Sequence, residues 1–229
     1  MRSPGPLLAR GRDADIFECG PGLVLRRSRN RRSMSDEART MSYLYDAGYP
    51  VPRVEEVSDD GVELVMERID GPTMVESLGR APWKVRTHAR MLADLHKRLH
   101  AIEAPAFLPP APVGEGNRML HLDLHPLNVL LGPSGPVVID WTAASLGDPA
   151  VDVGLAWVLM ASGDIPGGRI RTSVLGWGRS LLVNGFISQF EREEIERIVP
   201  AVVDWKAGDA NMGAHEVAAM RRIAGQVAG

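Results

Sequence analysis

The chain has 229 residues, of which 45% are hydrophobic and 24% are charged, and its formal net charge is −3. This length is enough to bury a core in one large domain or two smaller ones, and the composition is typical of a soluble globular protein. The small acidic excess argues against a dedicated nucleic-acid binder, which carries a basic excess on one face.

Cysteine usage and hydropathy bear on the compartment of the protein. The single cysteine, Cys19, allows no internal disulfide framework and fits a reducing cytosol. The N-terminal sequence MRSPGPLLARGR has no apolar segment of the secretory kind. The most apolar stretch, residues 151–163, contains Asp152 and is shorter than the ~20 residues that a membrane span needs. We therefore predict a soluble, cytoplasmic protein with no membrane or nucleic-acid partner.

The first third of the chain is predicted to be rich in β-structure. Short apolar runs, separated by turn-forming sequences such as GRDAD and GPG, lie at residues 7–9, 16–19, 23–26 and 62–69. A helix is predicted for residues 35–47, because Met41, Leu44 and Tyr45 form an apolar stripe and Gly48 can end it.

The remainder is predicted to be mainly helical. Leu92, Leu95 and Leu99 recur at helical spacing, and the apolar runs on both sides of GPSGP indicate a β-hairpin. Further helices are predicted near residues 148–162, 168–187, 190–206 and 209–227. The sequence therefore predicts an α+β chain of two lobes, a β-rich N-terminal lobe of residues 1–70 and a larger, mainly helical lobe of residues 71–229.

The segment HLDLHPLNVLLGPSGPVVIDW concentrates oxygen-bearing side chains. His121, Asp123 and Asn128 form a His-x-Asp-x-x-x-x-Asn pattern, and Asp140 ends the second strand of the predicted hairpin. Phosphoryl transfer needs a carboxylate that orients and deprotonates the attacking hydroxyl, and hard oxygen ligands that hold Mg²⁺ against the phosphates. A loop with Asp123 and Asn128, and a hairpin that brings Asp140 alongside, would supply these groups. The pattern predicts a site for a nucleoside triphosphate and magnesium.

This segment and the following GDPAVDVG resemble the aminoglycoside phosphotransferase family, relatives of the choline kinases. The resemblance implies a protein-kinase-like fold of α+β class, with ATP or GTP as phosphoryl donor and a small-molecule hydroxyl as acceptor. The site residues that it implies are Asp123 as catalytic base, Asn128 and Asp140 as magnesium ligands, and His121 and Asp152 as braces of the loop.

The resemblance extends to the predicted β-rich lobe. Arg26 stands where kinases have a phosphate-contacting lysine, and Glu37 stands where the family has the glutamate that pairs with this position. Arginine keeps the charge but is bulkier than lysine, and an ordinary surface ion pair is the alternative interpretation. The sequence LVMERIDGPTM resembles the interlobe hinge, with Met66 lining an adenine pocket and backbone near Glu67 and Ile69 bonding to adenine. An edge strand with a buried methionine is the alternative.

Two groups of side chains that include histidine could be interpreted as metal sites. His121, Asp123 and His125 would share one face of a strand and could bind zinc, although no further histidine or cysteine ligand lies nearby. His96 and His100 lie one helical turn apart, which fits a metal pair or a packing residue beside a solvent-facing one. The family has a leucine–histidine pair here, which implies that His96 supports the catalytic loop.

Two functions remain open on this sequence. The first is transfer of a γ-phosphoryl group to a hydroxyl of an aminoglycoside-like antibiotic, an amino alcohol or another metabolite. The second is a nucleotide-binding pseudokinase or regulatory module. It is favoured by Arg26 and by the short segment between Ile102 and His121, and it is disfavoured by the intact Asp123, Asn128 and Asp140. Protein-kinase activity is disfavoured because no Ala-Pro-Glu segment follows Asp140. The sequence determines neither the acceptor nor the oligomeric state.

Overall fold

The structure, a computed structural model, describes residues 2–11, 13–162, 169–209 and 212–227. The described chain forms two compact units. The first unit consists of Met1–Thr73 and Asn128–Thr142, and the second of Met74–Leu127 and Ala143–Gly229. Arg12 of the GRDAD turn, and residues 168 and 210–211 of two predicted helices, lie outside the described residues.

The elements are numbered in chain order. The strands are β1 (Leu7–Arg10), β2 (Ala14–Glu18), β3 (Leu23–Ser28), β4 (Val54–Val57), β5 (Glu63–Glu67), β6 (Arg118–Leu120), β7 (Val129–Gly132), β8 (Gly135–Val138) and β9 (Ser145–Gly147). The α-helices are α1 (Ser35–Asp46), α2 (Met74–Arg80), α3 (Val85–His100), α4 (Pro149–Ser162), α5 (Arg169–Ile187), α6 (Arg192–Lys206) and α7 (Ala214–Val227). Short 3₁₀ turns occupy Pro82–Lys84 and Pro126–Asn128.

A five-stranded antiparallel sheet in the order β1-β2-β3-β5-β4 forms the body of the first unit. Strand β3 lies at its centre and pairs with β2 and β5. Since side chains alternate between the faces of a strand, Leu23 and Leu25 pack on one face with Val65, and Arg26 projects from the other face. The sheet therefore holds Arg26 on its central strand, which is paired on both sides.

Helix α1 follows the sheet's central strand and buries Ala38, Met41 and Leu44. Its end matches the prediction, because Gly48 takes a left-handed φ of +75° directly after the C-cap residue Ala47. The Gly48 N–H and the Tyr49 N–H donate to carbonyl groups of the last helical turn at 3.0 and 2.9 Å. Glycine adopts this conformation without steric cost, which is why it ends helices so often.

The predicted hairpin forms from β7 and β8 and belongs to the first unit. The Leu131 N–H donates to the Pro72 carbonyl at 2.9 Å, and the Val138 N–H donates to the Pro50 carbonyl at 2.8 Å. A Cβ atom added at Gly71 would lie 2.1 Å from the Leu131 carbonyl oxygen, so only glycine allows this approach. These contacts anchor the hairpin that ends at Asp140.

Helix α4 lies at the centre of the second unit, where it contacts α5, α6 and α7. Its Val151 and Leu155 pack with Leu120, Leu122 and Val202 in a buried cluster that joins three elements and the loop after β6. This packing explains the continuous apolar run of α4, because the helix is buried on most of its surface. None of the helices in the described part of the chain has the length and hydropathy that a membrane crossing requires.

Two short strands and one short α-helix of the second unit were not predicted. Strands β6 and β9 pair with each other in the second unit, and α2 precedes the predicted long helix. Three-residue strands carry too few positions to show a period of two, so pattern analysis does not detect them. The N-terminal sheet and the helical remainder nevertheless confirm the predicted α+β class.

Candidate active site

Arg26 joins two carboxylates within the first unit. Its Nη1 donates to Glu37 Oε1 at 2.5 Å, and its Nη2 lies 3.6 Å from Asp140 Oδ1. The side chains of Arg26 and Glu37 are 13% and 4% exposed. The pair is therefore buried, unlike an ordinary surface ion pair, and it binds helix α1 to the central strand.

Glu37 depends on this arginine for charge compensation. Its Oε1 also accepts the Trp141 N–H at 3.3 Å, and its Oε2 is buried without a hydrogen-bond partner among the described residues. Burial raises the pKa of Glu37 above its usual value of 4.5, and the Arg26 guanidinium opposes that rise. Removing the guanidinium would leave a buried carboxylate without its cation.

Replacement of Arg26 by methionine should lower the free energy of unfolding by about 3–5 kcal/mol near neutral pH, because it breaks a buried ion pair on one side. Arg27→Met is the matched control on the same strand. Arg27 bonds to Glu63 at 2.6 Å but is 41% exposed, so its loss should cost less than about 1 kcal/mol. Urea denaturation measures both values, and equal losses would contradict the burial argument.

The cost of Arg26→Met should also depend on pH. A carboxyl whose folded-state pKa is raised contributes stability that is complete below its ordinary pKa of 4.5 and is lost as the pH rises through the folded-state pKa. The variant raises the folded-state pKa of Glu37 further, so its stability should approach that of the wild type in acid and fall behind above pH 4.5. Denaturation at stepped pH tests this, and a pH-independent difference would refute it.

Asp140 is held in a conformation that leaves one oxygen available. Its φ of +67° is left-handed, which is uncommon for a residue other than glycine. Its Oδ1 accepts the Thr142 hydroxyl at 3.0 Å and faces Arg26, whereas its Oδ2 has no partner among the described residues. The side chain is 41% exposed. One carboxylate oxygen is thus fixed and the other can bind a ligand.

Asn128 lies at the same end of the hairpin as Asp140. It directly precedes β7, it is largely buried, and its carbonyl accepts the Ile139 N–H at 3.0 Å. The structure therefore brings the two predicted magnesium ligands to adjacent chain segments of one unit. An amide and a carboxylate are hard oxygen donors of the kind that Mg²⁺ prefers, so this donor set fits the ion.

The predicted hinge segment begins in β5. Met66 is half-buried and lies opposite Val24 of the central strand. The Glu67 N–H donates to the Arg53 carbonyl at 2.8 Å, whereas the Ile69 N–H has no acceptor among the described residues. The Ile69 N–H is thus a backbone donor, within the segment predicted to contact adenine, to which a nucleotide base could bond.

Asp123 lies in the second unit, in the loop after β6. Its Oδ1 is 3.4 Å from His125 Nε2, and its side chain is 35% exposed. Burial favours a higher pKa, but the hydrogen bond and charge of His125, with the charges of His121 and Lys206, outweigh it and lower the pKa of Asp123. The carboxyl group is therefore ionised at neutral pH and can accept a hydrogen bond from a hydroxyl.

Lys206 is a neighbour of Asp123 that sequence reasoning missed. It ends α6, its side chain is 16% exposed, and its Nζ donates to Asp209 Oδ2 at 2.8 Å. The adjacent Trp205 packs on the buried cluster that contains Leu122, next to Asp123 in the loop. No motif marks this lysine, because helix packing alone brings the end of α6 to the loop.

Asp152 is buried in α4 and accepts three hydrogen bonds. Its Oδ1 accepts the Leu122 N–H at 2.8 Å, and its Oδ2 accepts the His121 N–H at 3.1 Å and His100 Nε2 at 3.0 Å. Burial alone would raise the pKa of Asp152, but the His100 hydrogen bond and the nearby histidines hold it well below its usual range. An ionised carboxylate thus accepts hydrogen bonds from two backbone amides of the loop, and the bracing role implied for Asp152 stays a prediction.

His96 faces the same buried region from α3. Its Nδ1 donates to the Leu92 carbonyl at 2.9 Å, and its ring packs on Phe186 and His100 with centroid distances of 5.0 and 5.7 Å. Burial lowers the pKa of His96 to about 4, so the ring is neutral at physiological pH. Among the described residues no three histidine, cysteine, aspartate or glutamate side chains converge as metal ligands, so the zinc alternative for His121, Asp123 and His125 gains no support.

Together these features define a class of protein. Phosphotransferases with a kinase-like fold typically combine three features: an antiparallel sheet with a buried ion pair, a His-x-Asp-x-x-x-x-Asn loop, and an aspartate at the end of the following hairpin. The described chain has all three, with an arginine–glutamate pair on the sheet. The profile of the phosphotransferase enzyme family matches residues 6–118 and 108–179, and the chain belongs to this family. No curated protein sequence matches the chain.

Solved structures confirm the kinase-like fold. A choline/ethanolamine kinase family protein from Mesorhizobium loti is 16% identical, with a TM-score of 0.60 over 98% of this chain and 87% of that one. ADP-bound aminoglycoside phosphotransferase APH(2'')-Ib is 15% identical, with a TM-score of 0.63 over 96% and 93%. Amicoumacin kinase hAmiN, in complex with AMP-PNP, Ca²⁺ and Ami, is 14% identical, with a TM-score of 0.51 over 97% and 87%.

Proposed function

We propose that this protein transfers the γ-phosphoryl group of ATP or GTP to a hydroxyl of a small molecule, with Mg²⁺ as the metal. The observation that carries the proposal is the buried Arg26, joined to both Glu37 and Asp140 in a member of the phosphotransferase enzyme family. A cation fixed between a buried carboxylate and an exposed one suits a site that receives phosphate and metal.

The first unit would bind the nucleotide. Arg26, oriented by Glu37, would contact the phosphates, while Met66 and backbone near Glu67 and Ile69 would contact adenine. Two observations support this assignment: the Ile69 N–H has no acceptor in the described part of the chain, and Met66 is half-buried. An arginine can form a bidentate contact with phosphate oxygens, which a lysine cannot.

Asn128 and Asp140 would hold the metal. Both residues lie at one end of the hairpin, and Asp140 Oδ2 has no partner within the described ranges, which supports this assignment. When bound, magnesium neutralises phosphate charge as the transfer proceeds. The Thr142 hydroxyl fixes the other oxygen of Asp140 and so limits rotation of the carboxylate.

Asp123 would act on the acceptor. Its carboxylate accepts a hydrogen bond from the acceptor hydroxyl and directs that oxygen in line with the γ-phosphorus. The bond from the hydroxyl oxygen to phosphorus forms as the bond to the β–γ bridging oxygen breaks, and the nucleoside diphosphate leaves with that electron pair. The hydroxyl proton passes to Asp123, whose lowered pKa keeps it ionised beforehand.

The acceptor class is set by side chains rather than by the fold. The structural relatives described above are a choline/ethanolamine kinase family protein, an aminoglycoside phosphotransferase and an amicoumacin kinase. We therefore propose an aminoglycoside-like antibiotic, an amino alcohol or another hydroxylated metabolite. A panel assay that measures ADP or GDP release with and without Mg²⁺ tests this, with phosphorylated product identified by mass spectrometry.

A second candidate is a nucleotide-binding module without turnover. It is favoured by the contact between Arg26 Nη2 and Asp140 Oδ1, because this contact engages the aspartate proposed to hold the metal. Magnesium-dependent nucleotide binding without product from any acceptor in the panel would favour this second candidate. Product formation that requires both Mg²⁺ and an acceptor would exclude it.

A further inference from the structure

The most exposed large apolar side chain among the described residues is Trp83, at 77%. It lies in the 3₁₀ turn Pro82–Lys84, which leads directly into α3. Tryptophan is on average well buried, and the other tryptophans whose burial is described, Trp141, Trp157 and Trp205, are buried or half-buried. A single exposed apolar side chain is ordinary on a protein surface, so its surroundings decide whether it marks a contact site.

The surroundings of Trp83 are strongly basic. Residues 77–93 contain four arginine or lysine residues and no aspartate or glutamate, and all four basic side chains are exposed. They are Arg80, Lys84, Arg86 and Arg90. None of the four forms an ion pair with another residue in the described part of the chain. The whole chain carries a formal charge of −3, so the rest of it carries −7 and this segment is a local exception.

Trp83 and two of the arginines lie on one side of the helical segment. Arg86 and Arg90 follow Trp83 by three and seven residues, which is the spacing of positions that share a helix face. The other side of α3 is packed, since Leu92 and Leu95 are at most 1% exposed. An anchored helix therefore presents an indole ring and guanidinium groups to the solvent.

The surface of an anionic bilayer complements this face in charge and in chemistry. Tryptophan rings favour the boundary between lipid headgroups and acyl chains, and arginine and lysine are attracted to anionic headgroups. The outer face of a helix is convex, so a planar surface can contact the ring and the cations beside it together. Proteins that bind single-stranded nucleic acid instead place several aromatic rings along a basic groove, and this face has one ring.

We propose that Trp83 and the four exposed cations, hereafter the basic face, bind the surface of an anionic phospholipid bilayer. The contact is peripheral: the indole enters the headgroup boundary and the cations meet lipid phosphates. The expectation of no membrane partner came from the absence of a long apolar segment, which a surface contact does not need. The proposal is independent of the proposed function, because the basic face includes none of the residues assigned to phosphoryl transfer.

Sedimentation of the full chain with lipid vesicles tests the proposal. Wild-type protein should bind vesicles of equal parts phosphatidylcholine and phosphatidylglycerol and should not bind phosphatidylcholine alone. The double variant Arg86→Gln/Arg90→Gln should lower the partition coefficient by about 25-fold, because each cation near an anionic surface contributes about fivefold. Trp83→Ala should lower it by about tenfold, because the headgroup boundary no longer covers the ring.

The matched control is Arg221→Gln/Arg222→Gln. Both arginines are exposed on α7 of the same unit, so the control removes the same charge from a different surface. It should keep the partition coefficient within about twofold of the wild type, because salt confines the attraction to charges near the bilayer. Equal losses in the two double variants would show a dependence on net charge alone and would overturn the proposal.

Two other outcomes would assign the basic face to a different partner. Binding of a single-stranded oligonucleotide that Arg86→Gln/Arg90→Gln weakens, without binding of vesicles, would indicate a nucleic acid. Self-association in sedimentation velocity that Trp83→Ala removes, again without binding of vesicles, would indicate a second copy of this chain. Either result would overturn the proposal, as would a wild-type protein that binds no anionic vesicles.

Tryptophan fluorescence reports on the ring itself. Anionic vesicles should shift the emission of the wild type to shorter wavelength, and they should leave the emission of Trp83→Ala unchanged, because Trp83 is the ring that moves from water to the headgroup boundary. Circular dichroism should show the same melting temperature for the variants as for the wild type, since all the substituted side chains are exposed. Vesicle binding with no shift in emission would overturn the role of Trp83.

Discussion

Replacement of Asp123 by asparagine should lower kcat by about 10²–10⁴-fold, the usual contribution of a general base. The amide has nearly the same shape and can still accept a hydrogen bond from His125, which lies 3.4 Å from Asp123 Oδ1. It cannot, however, take the proton of the acceptor hydroxyl. Nucleotide affinity should stay within about twofold, because the residues proposed to bind the nucleotide belong to the first unit.

Steady-state kinetics with the best acceptor and calorimetric titration with AMP-PNP separate the two effects. Asp94→Asn is the matched control, because Asp94 is an exposed carboxylate of the second unit on α3. The control should behave as the wild type does. Loss of nucleotide affinity equal to the loss of kcat in Asp123→Asn would refute the assignment of Asp123 as base.

Replacement of Asp140 by alanine should abolish the part of nucleotide affinity that depends on magnesium. Wild-type protein should bind AMP-PNP more tightly with Mg²⁺ than without it, and the variant should bind equally under both conditions. The fold should be retained, because the Asp140 side chain is 41% exposed and the buried Arg26–Glu37 pair does not require it.

Calorimetric titrations with and without Mg²⁺ measure this dependence directly. Asp46→Ala, at an exposed position that ends α1 in the same unit, should keep the wild-type response to magnesium. If Asp140→Ala still binds nucleotide more tightly with magnesium, Asp140 is not a ligand of the metal.

The elements that sequence predicted best are those with strong local signals. The β7–β8 hairpin could be predicted because a Gly/Pro turn separates two apolar runs, and the end of α1 because Gly48 can adopt a left-handed φ. Strands β6 and β9 could not, because three residues are too few to show periodicity and each strand depends on its partner.

In the candidate site, too, residues in a short motif could be predicted, whereas contacts between helices could not. The roles of Asp123, Asn128 and Asp140 came from a short motif and a family resemblance, and they remain proposals. The contact of His100 with Asp152 had a partial signal, because the spacing of His96 and His100 places both on one face of α3. The spacing does not reveal which side chain of another helix that face meets, so tertiary packing alone identifies Asp152.

The burial of Arg26 could likewise not be predicted from the sequence. The resemblance placed it opposite Glu37, but a surface pair and a buried pair have the same residues at the same spacing. Tertiary packing decides between them. Arg27 has the same strand pairing and is 41% exposed, whereas Arg26 projects from the opposite face, meets Glu37 of α1 and is 13% exposed. Burial then determines how strongly stability depends on the pair.

A crystal structure with Mg²⁺, AMP-PNP and an accepted substrate would test the central claim most directly. We predict that Asn128 and Asp140 each place a side-chain oxygen about 2.0–2.1 Å from the metal, with the Asp123 carboxylate hydrogen-bonded to the acceptor hydroxyl that faces the γ-phosphorus. A metal bound to other side chains, or an Asp123 carboxylate directed away from the acceptor, would contradict this account.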